Sequence, residues 1–245
     1  MTYDFRSPRL FVDADLAAGQ SIEADASQAN YLRNVLRLKP GDAILLFNGR
    51  DGEWRAAISD ARRKGVTLSI EEQTREQTRA PDLHYLFAPL KHARLDYMVQ
   101  KATEMGVGRL LPVLTEFTQV ARVNSDRMRA NAIEAAEQCG TLSIPDIDPP
   151  RKLFDVLSEW EPERRLVFCD EAAALKSPGE TFGPLKSGLA ALLIGPEGGF
   201  SDRERTDLLA RPYVIPLSLG PRILRADTAA VAALALVQSF IGDWR

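Results

Sequence analysis

The spacing of hydrophobic and polar positions changes near residue 75. Before it, short strand-like segments, AILLF (43 to 47), EWRAAIS (53 to 59) and VTLSI (66 to 70), alternate with turn signals such as Pro40-Gly41-Asp42 and Asn48-Gly49. That pattern predicts a small β-rich barrel. A helical period interrupts it between 27 and 38, with Leu32, Val35 and Leu36 on one side and Arg33 and Arg37 on another. The polar stretch EEQTREQTRAPD (71 to 82) holds almost nothing to bury and reads as a linker.

Beyond it the rhythm becomes strand, helix, strand. HYLFAPL (84 to 90) precedes a helix on which Leu95, Met98, Val99, Ala102 and Met105 share a face, with Gly106 as its stop. RLLPVLT (109 to 115) is the next strand, and Ser125 is placed to cap a helix that runs to Gly140. KLFDVLSEW, RLVFC (165 to 169) and LAALLIG continue the alternation. Ser201 and Glu204 form a capping box for a further helix, YVIPLSL (213 to 219) is the last strand, and ADTAAVAALALVQSFI is a nearly all-apolar closing helix. Strands and helices in this order predict a parallel sheet covered on both faces.

Composition fits that picture and removes several function classes. With 245 residues, 45% hydrophobic and 27% charged, the chain can bury a large core as one large domain or two modest ones. No apolar run reaches the roughly 20 residues of a membrane span, and MTYDFRSPRL lacks the apolar core of a secretion signal, so the expected location is the cytoplasm. Cys139, Cys169, His84 and His92 show no ligand spacing, and structural roles are expected for them, with no metal. Net charge is −3, unevenly spread: residues 27 to 64 hold eight Lys/Arg against four acids, and 146 to 180 hold nine acids against five bases. The basic stretch reads either as a phosphate-attracting face or as solvated surface.

Candidate chemistry concentrates in LLIGPEGGFSDRE (192 to 204), which ends a strand in Gly195-Pro196-Glu197-Gly198-Gly199. Open α/β sheets bind ligands beyond the carboxyl ends of their strands, and glycines there admit close approach to the backbone. A tight turn with no ligand has the same look. The stretch lacks the Gly-Lys-Ser/Thr of a phosphate loop and the glycine spacing of dinucleotide folds. A second turn of this sort, SLGPRILRADTAA (218 to 230), ends the next strand, which points to one pocket shared by two adjacent strand ends.

LLIGPEGGFSDRE and LSLGPRILRADTA, together with QKATEMGV and EAAEQCG, closely resemble the RsmE family of SPOUT methyltransferases, which methylate N3 of a uridine in 16S ribosomal RNA with S-adenosylmethionine. PRLF and YLRNVLRLKPGDAILLFNG are similar to that family's PUA-like RNA-binding domain, so the resemblance covers nearly the whole chain. It implies a PUA-like β-barrel over 1–73, a linker over 74–82 and, over 83–245, an α/β domain with a parallel sheet, helices on both faces and a deep trefoil knot. It further implies a homodimer that acts on 16S ribosomal RNA or the assembled small ribosomal subunit, away from membranes.

The resemblance assigns the cofactor to three loops, Cys169 to Glu171, Gly195 to Gly199 and Leu219 to Arg225, with contacts from Glu171, Ile194, Gly195, Pro196, Glu197, Gly198, Gly199, Leu219, Gly220, Ile223, Leu224 and Arg225. Glu197 fits either a ribose hydroxyl or a helix cap, and Arg225 fits either the uracil or a phosphate, or else a salt bridge with Asp227. Arg225, Glu137 and Gln138 are the candidates for catalysis; Glu104, Glu137 and Asp227 are the candidates for a base. Arg9, Arg33, Arg37, Lys91 and Arg94 are expected to touch RNA. Phe117 and Thr141 stand where the family pattern commonly has arginine, which weakens the carried-over RNA contacts there. Two alternatives keep their place: methylation of a ribose 2′-hydroxyl or of another RNA, and a non-catalytic RNA-binding ribosome-assembly factor.

Overall fold

A computed structural model describes residues 7–62, 65–78, 82–120, 122–185 and 188–244; the side chain of His92 and the basic residues Arg63 and Lys64 lie outside that description. The chain divides into two units, Met1–Ala80 with Ala136–Ile144, and Pro81–Ala135 with Pro145–Arg245.

The first unit is built on β1 (Arg9–Phe11), β2 (Ser21–Glu23), α1 (Ala26–Asn30), β3 (Ala43–Phe47), β4 (Glu53–Arg62) and β5 (Gly65–Arg75). Among the described residues these strands form one sheet in the order β1-β3-β4-β5-β2, parallel between β1 and β3 and antiparallel elsewhere. Inward positions alternate along it, so that Leu10, Ile44, Leu46, Ile58 and Leu68 meet in one core. β5 continues five residues past the expected strand, into the polar stretch read as a linker. Its polar end needs no core because its backbone pairs with β4, up to Arg75 opposite Glu53.

The helix expected over 27 to 38 is shorter and changes form. Asp25 and Gln28 cap α1 reciprocally, after which Tyr31–Val35 forms a π-helical turn that closes with Leu36 N–H on the Tyr31 carbonyl at 3.0 Å. The wider turn breaks the 3.6-residue phase. Leu32 stays fully buried, but Val35 is turned out to 62% exposure. Arg37 ends the segment exposed, at φ 58, in the left-handed region.

Glu53 organises the far side of this unit. It is 2% exposed and accepts from Arg9 Nε at 2.8 Å, from Arg75 Nε and Nη2 at 2.9 and 2.6 Å, and from Thr74 Oγ1 at 3.0 Å. Arg9 also donates to the carbonyls of Ala136, Glu137 and Thr141, and Arg75 to that of Gly140, which fastens residues 136–144 to the sheet. Arg9 is therefore not the RNA contact expected of it. At 6% exposure, with its guanidinium 4.3 Å from the Phe47 ring centroid, it faces the interior.

The second unit contains β6 (Leu83–Phe87), α2 (His92–Glu104), β7 (Arg109–Leu114), α3 (Ser125–Cys139), β8 (Asp146–Ile147), β9 (Arg151–Lys152), α4 (Leu153–Ser158), β10 (Arg165–Cys169), α5 (Pro178–Phe182), β11 (Ala190–Ile194), α6 (Asp202–Leu209), β12 (Val214–Leu217) and α7 (Ala226–Phe240), with the last turn of α3 counted in the first unit. Its strands run parallel in the order β12-β10-β11-β6-β7-β8, with β9 also on β7. All five residues of β11 are buried, as a central strand covered on both faces requires. Gly106 and Gly140, at φ 77 and 79, end α2 and α3 in the left-handed conformation. Asn124, rather than Ser125, caps α3: its Oδ1 accepts the Arg127 N–H at 3.0 Å.

His84, on β6, is largely enclosed, with Nε2 3.4 Å from Asp82 and the buried Arg164 close by. Burial first, and the Arg164 guanidinium second, lower its pKa from 6.5 to about 4. The folded state thus resists a proton that the unfolded chain takes up. Its contribution is complete above pH 6.5 and is lost as pH falls toward 4. Urea melts between pH 7 and 4 should show a steeper acid loss for the unmodified protein than for His84→Gln; equal slopes would refute this account.

Candidate functional site

A cleft of about 570 Å³ lies beyond the carboxyl ends of β10, β11 and β12. That is the size of a small-ligand pocket. The two Gly-Pro turns do not sit on neighbouring strands, as the sequence order had implied. β10 pairs with both β11 and β12 and so lies between them, and its own loop, from Cys169 to Leu175, supplies the third wall. Of the expected cofactor residues, Glu171, Ile194, Gly195, Pro196, Glu197, Gly199, Leu219, Gly220, Ile223, Leu224 and Arg225 line this cleft. Gly198 does not: a Cβ placed there would face Phe117 at 3.4 Å.

Local chemistry sets each wall. The Gly195–Gly199 turn closes with Gly199 N–H on the Pro196 carbonyl at 2.9 Å, and Gly199 has φ +71. The turn then meets α6, whose first turn is held by the Ser201–Glu204 capping box. Glu204 is buried and takes a further hydrogen bond from Glu116 N–H at 2.8 Å. Gly220 has φ +99 and open space on the side where a Cβ would stand, so a ligand can approach that backbone. Ile194, Leu217, Leu219 and Leu224 give the cleft apolar surface, while Glu171 presents an exposed carboxylate. These features fit a nucleoside-bearing cofactor: apolar walls for a ring, exposed backbone for its edge and a carboxylate for hydroxyls.

The polar partners differ in part from expectation. Glu197 neither caps α6 nor stands free; it is ion-paired with Arg94, one of the residues assigned to RNA. Arg225 is exposed at the N-cap of α7, and among the described residues its expected alternative partner, Asp227, accepts the Thr228 N–H instead. Asp170 and Arg205 also line the cleft; Asp170 falls inside the expected Cys169 to Glu171 loop without being one of its named contacts, and no motif pointed to Arg205. Asp170 is 5% exposed, accepts Arg205 Nε at 3.0 and 3.1 Å and Ala172 N–H at 3.0 Å, and thereby fixes the loop after β10. Burial pushes the Cys169 thiol well up, which keeps it neutral.

The remaining candidates lie elsewhere. Glu137 and Gln138 belong to the first unit, where Glu137 Oε1 accepts the Phe11 N–H at 2.9 Å and Gln138 is exposed. Glu104 is paired with Lys101 at 2.7 Å. All three proposed bases thus have structural partners, and the cleft carboxylates Asp170 and Glu197 are ion-paired as well. Arg33 is half-buried, and Arg37 and Lys91 are exposed. Thr141 offers its carbonyl to Arg9 at 3.0 Å.

Comparison with known proteins agrees with this geometry. Residues 77–238 match the family described as RNA methyltransferase domain, and residues 24–71 match that described as RNA methyltransferase PUA domain. A Rickettsia conorii protein named ribosomal RNA small subunit methyltransferase E is 31% identical over 232 residues, 94% of either chain. Among solved structures, a Legionella pneumophila protein described as a methyltransferase, in complex with S-adenosylmethionine, is 32% identical with TM-score 0.85, covering 97% of this chain and 99% of that one. The ribosomal RNA small subunit methyltransferase E of Neisseria gonorrhoeae, bound to S-adenosylmethionine, is 26% identical with TM-score 0.86, covering 98% and 100%.

Proposed function

This chain belongs to the RNA methyltransferase family that includes the ribosomal RNA small subunit methyltransferases E, and from that premise we propose that it methylates N3 of a uridine in 16S ribosomal RNA. It is a SPOUT methyltransferase domain preceded by a PUA-like domain. The observation that carries the reading is the three-loop cleft at the ends of β10, β11 and β12.

Bound there, S-adenosylmethionine supplies a methyl group already activated on a sulfonium, so no metal or strong nucleophile is needed from the chain. Ile194, Leu219 and Leu224 would hold the adenine by apolar contact, the backbone at Gly195 and Gly220 would read its edge, and Glu171 would hold a ribose hydroxyl. Arg225, exposed at the mouth with its fork of donors, orients the uracil or an adjoining phosphate. Fixing donor and acceptor together supplies much of the acceleration. Arg33, Arg37 and Lys91 contribute phosphate contacts, and the knot implied by the resemblance belongs to the same proposal. Purified small ribosomal subunits and naked 16S RNA, incubated with labelled cofactor and digested to nucleosides, should yield 3-methyluridine. A 2′-O-methylated nucleoside, or no transfer to either, would overturn the reading.

We further propose a cytoplasmic homodimer joined through α7. Among the described residues no helix is long and apolar enough to cross a membrane. One face of α7, including Ala230, Ala233, Leu234 and Val237, is buried. Val231, Ala232, Ala235 and Leu236 remain half-exposed, an apolar stripe that a second copy would cover. Ala233 is fully buried within its own chain, so a charge there would disrupt the fold; Ala235 is the informative position. Ala235→Glu should halve the mass by light scattering and abolish methyl transfer, while an unmodified protein that is monomeric and fully active would exclude the dimer.

A further inference from the structure

Phe117 is 45% exposed on a turn held at several points. Thr115 N–H donates to Thr118 Oγ1 at 2.8 Å, the two hydroxyls are 2.9 Å apart, and Thr118 N–H returns to the Thr115 carbonyl at 3.2 Å. Between them, Glu116 N–H donates to one oxygen of buried Glu204, whose other oxygen accepts Ser201 N–H at 3.0 Å. A single carboxylate thus ties the 115–118 turn to the residue just beyond the Gly-rich turn. Phe117 stands against Gly198, whose neighbours Glu197 and Gly199 line the cleft. Ile223 and Leu175, exposed by 89% and 66%, line the same cleft. Among the described residues, this ring, half in water beside the turn that lines the cleft, is a flat apolar face with no aromatic partner.

We propose that Phe117 is a stacking surface for the target uracil, an inference that rests on the methyltransferase reading above. N3 lies on the pairing edge of uracil, so the base must be unpaired and drawn out of its stack before it can be methylated. An aromatic face restores the lost stacking, and a ring carried on a turn whose backbone is already held, with only two side-chain torsions of its own, loses little freedom in doing so. Uracil is uncharged, so a flat face serves it where the family pattern commonly has a guanidinium. Its place against Gly198, between the cleft-lining Glu197 and Gly199, favours the base over a second copy of the chain as the occupant.

The test compares Phe117→Ala, Phe117→Leu and Phe117→Tyr with the unmodified protein by calorimetric titration with S-adenosylmethionine, light scattering and methyl transfer to small ribosomal subunits. In the alanine and leucine variants kcat/KM for the subunit should fall roughly 10- to 100-fold, carried mainly by KM, and tyrosine should restore it to within about threefold. Cofactor affinity and mass should stay unchanged in all three. Full activity of the alanine or leucine variant overturns the inference. So does a loss of cofactor affinity, which would make the ring a prop for the Gly-rich turn, or a halved mass, which would assign it to a contact between copies. An unmodified protein that transfers no methyl group overturns the methyltransferase reading and this inference together; an active one indifferent to Phe117→Leu sinks this inference alone.

Discussion

Gly195→Val is expected to weaken S-adenosylmethionine binding at least about 100-fold, equivalent to about 3 kcal/mol, and to abolish methyl transfer with it. A Cβ at this position would press into the Phe200 ring, 2.9 Å from Cζ and 3.0 Å from Cδ2. That ring is held on one side, because it packs edge-on against Phe168 at 4.9 Å and rests half-buried on the core, and its other side lines the cleft, so any retreat would fill the ligand space. Overpacking of this kind typically costs about 1–3 kcal/mol, and the turn is the softer element, so strain moves Pro196, Glu197 and Gly199, which line the cleft. Gly220→Ala separates ligand approach from packing: its Cβ meets no atom of the chain, leaving roughly 1–2 kcal/mol of backbone strain at φ +99. Calorimetric titration with circular dichroism as a folding control checks both. Wild-type affinity in a folded Gly195→Val protein would remove the turn from the cofactor site.

Glu53→Ala should have the largest effect on stability, a loss of about 3–5 kcal/mol, because it strands Arg9 in the interior and removes the ion pair of Arg75. For a chain of this length that lowers Tm by roughly 10 °C. Amides of residues 136–144 should exchange faster in the variant, since Arg9 and Arg75 hold their carbonyls only while Glu53 orients both guanidiniums. Burial pushes the Glu53 carboxyl up, but hydrogen bonds and charge from Arg75 and Arg9 outweigh it and hold the pKa below 4.5. Its contribution is therefore complete above pH 4.5 and lost as pH falls through the lower folded value. The stability gap between unmodified and variant protein should narrow in acid; a constant gap, or a Tm within a degree or so of the original, would sink this account.

What the sequence determined by itself was whatever depends on neighbours within a few positions. RLVFC is β10 to the residue, because the middle of a strand covered on both faces must be apolar, as Leu166, Val167 and Phe168 are, and the Ser201–Glu204 box starts α6 because both of its bonds span three residues. Gly106 and Gly140 stop their helices for an equally local reason, the left-handed conformation that glycine adopts without cost. Two of the three loops that line the cleft were legible too, since glycine and proline announce turns; the loop after β10 holds neither between Cys169 and Leu175 and came only from the family resemblance.

What the tertiary structure decided are relations between distant residues. β10 lies between β11 and β12 because parallel neighbours are chosen by crossover connections, which leave no mark in local periodicity. Arg9 resembled a surface cation until Glu53, 44 positions away, and the carbonyls at the end of α3 gathered around it. Val35 looked like a core residue until one wide turn rotated it outward, and Asp170 gained a purpose only when the chain brought Arg205 beside it. Charge and burial are properties of the folded neighbourhood, and a single chain read in order shows which side chains exist but not which ones desolvate each other.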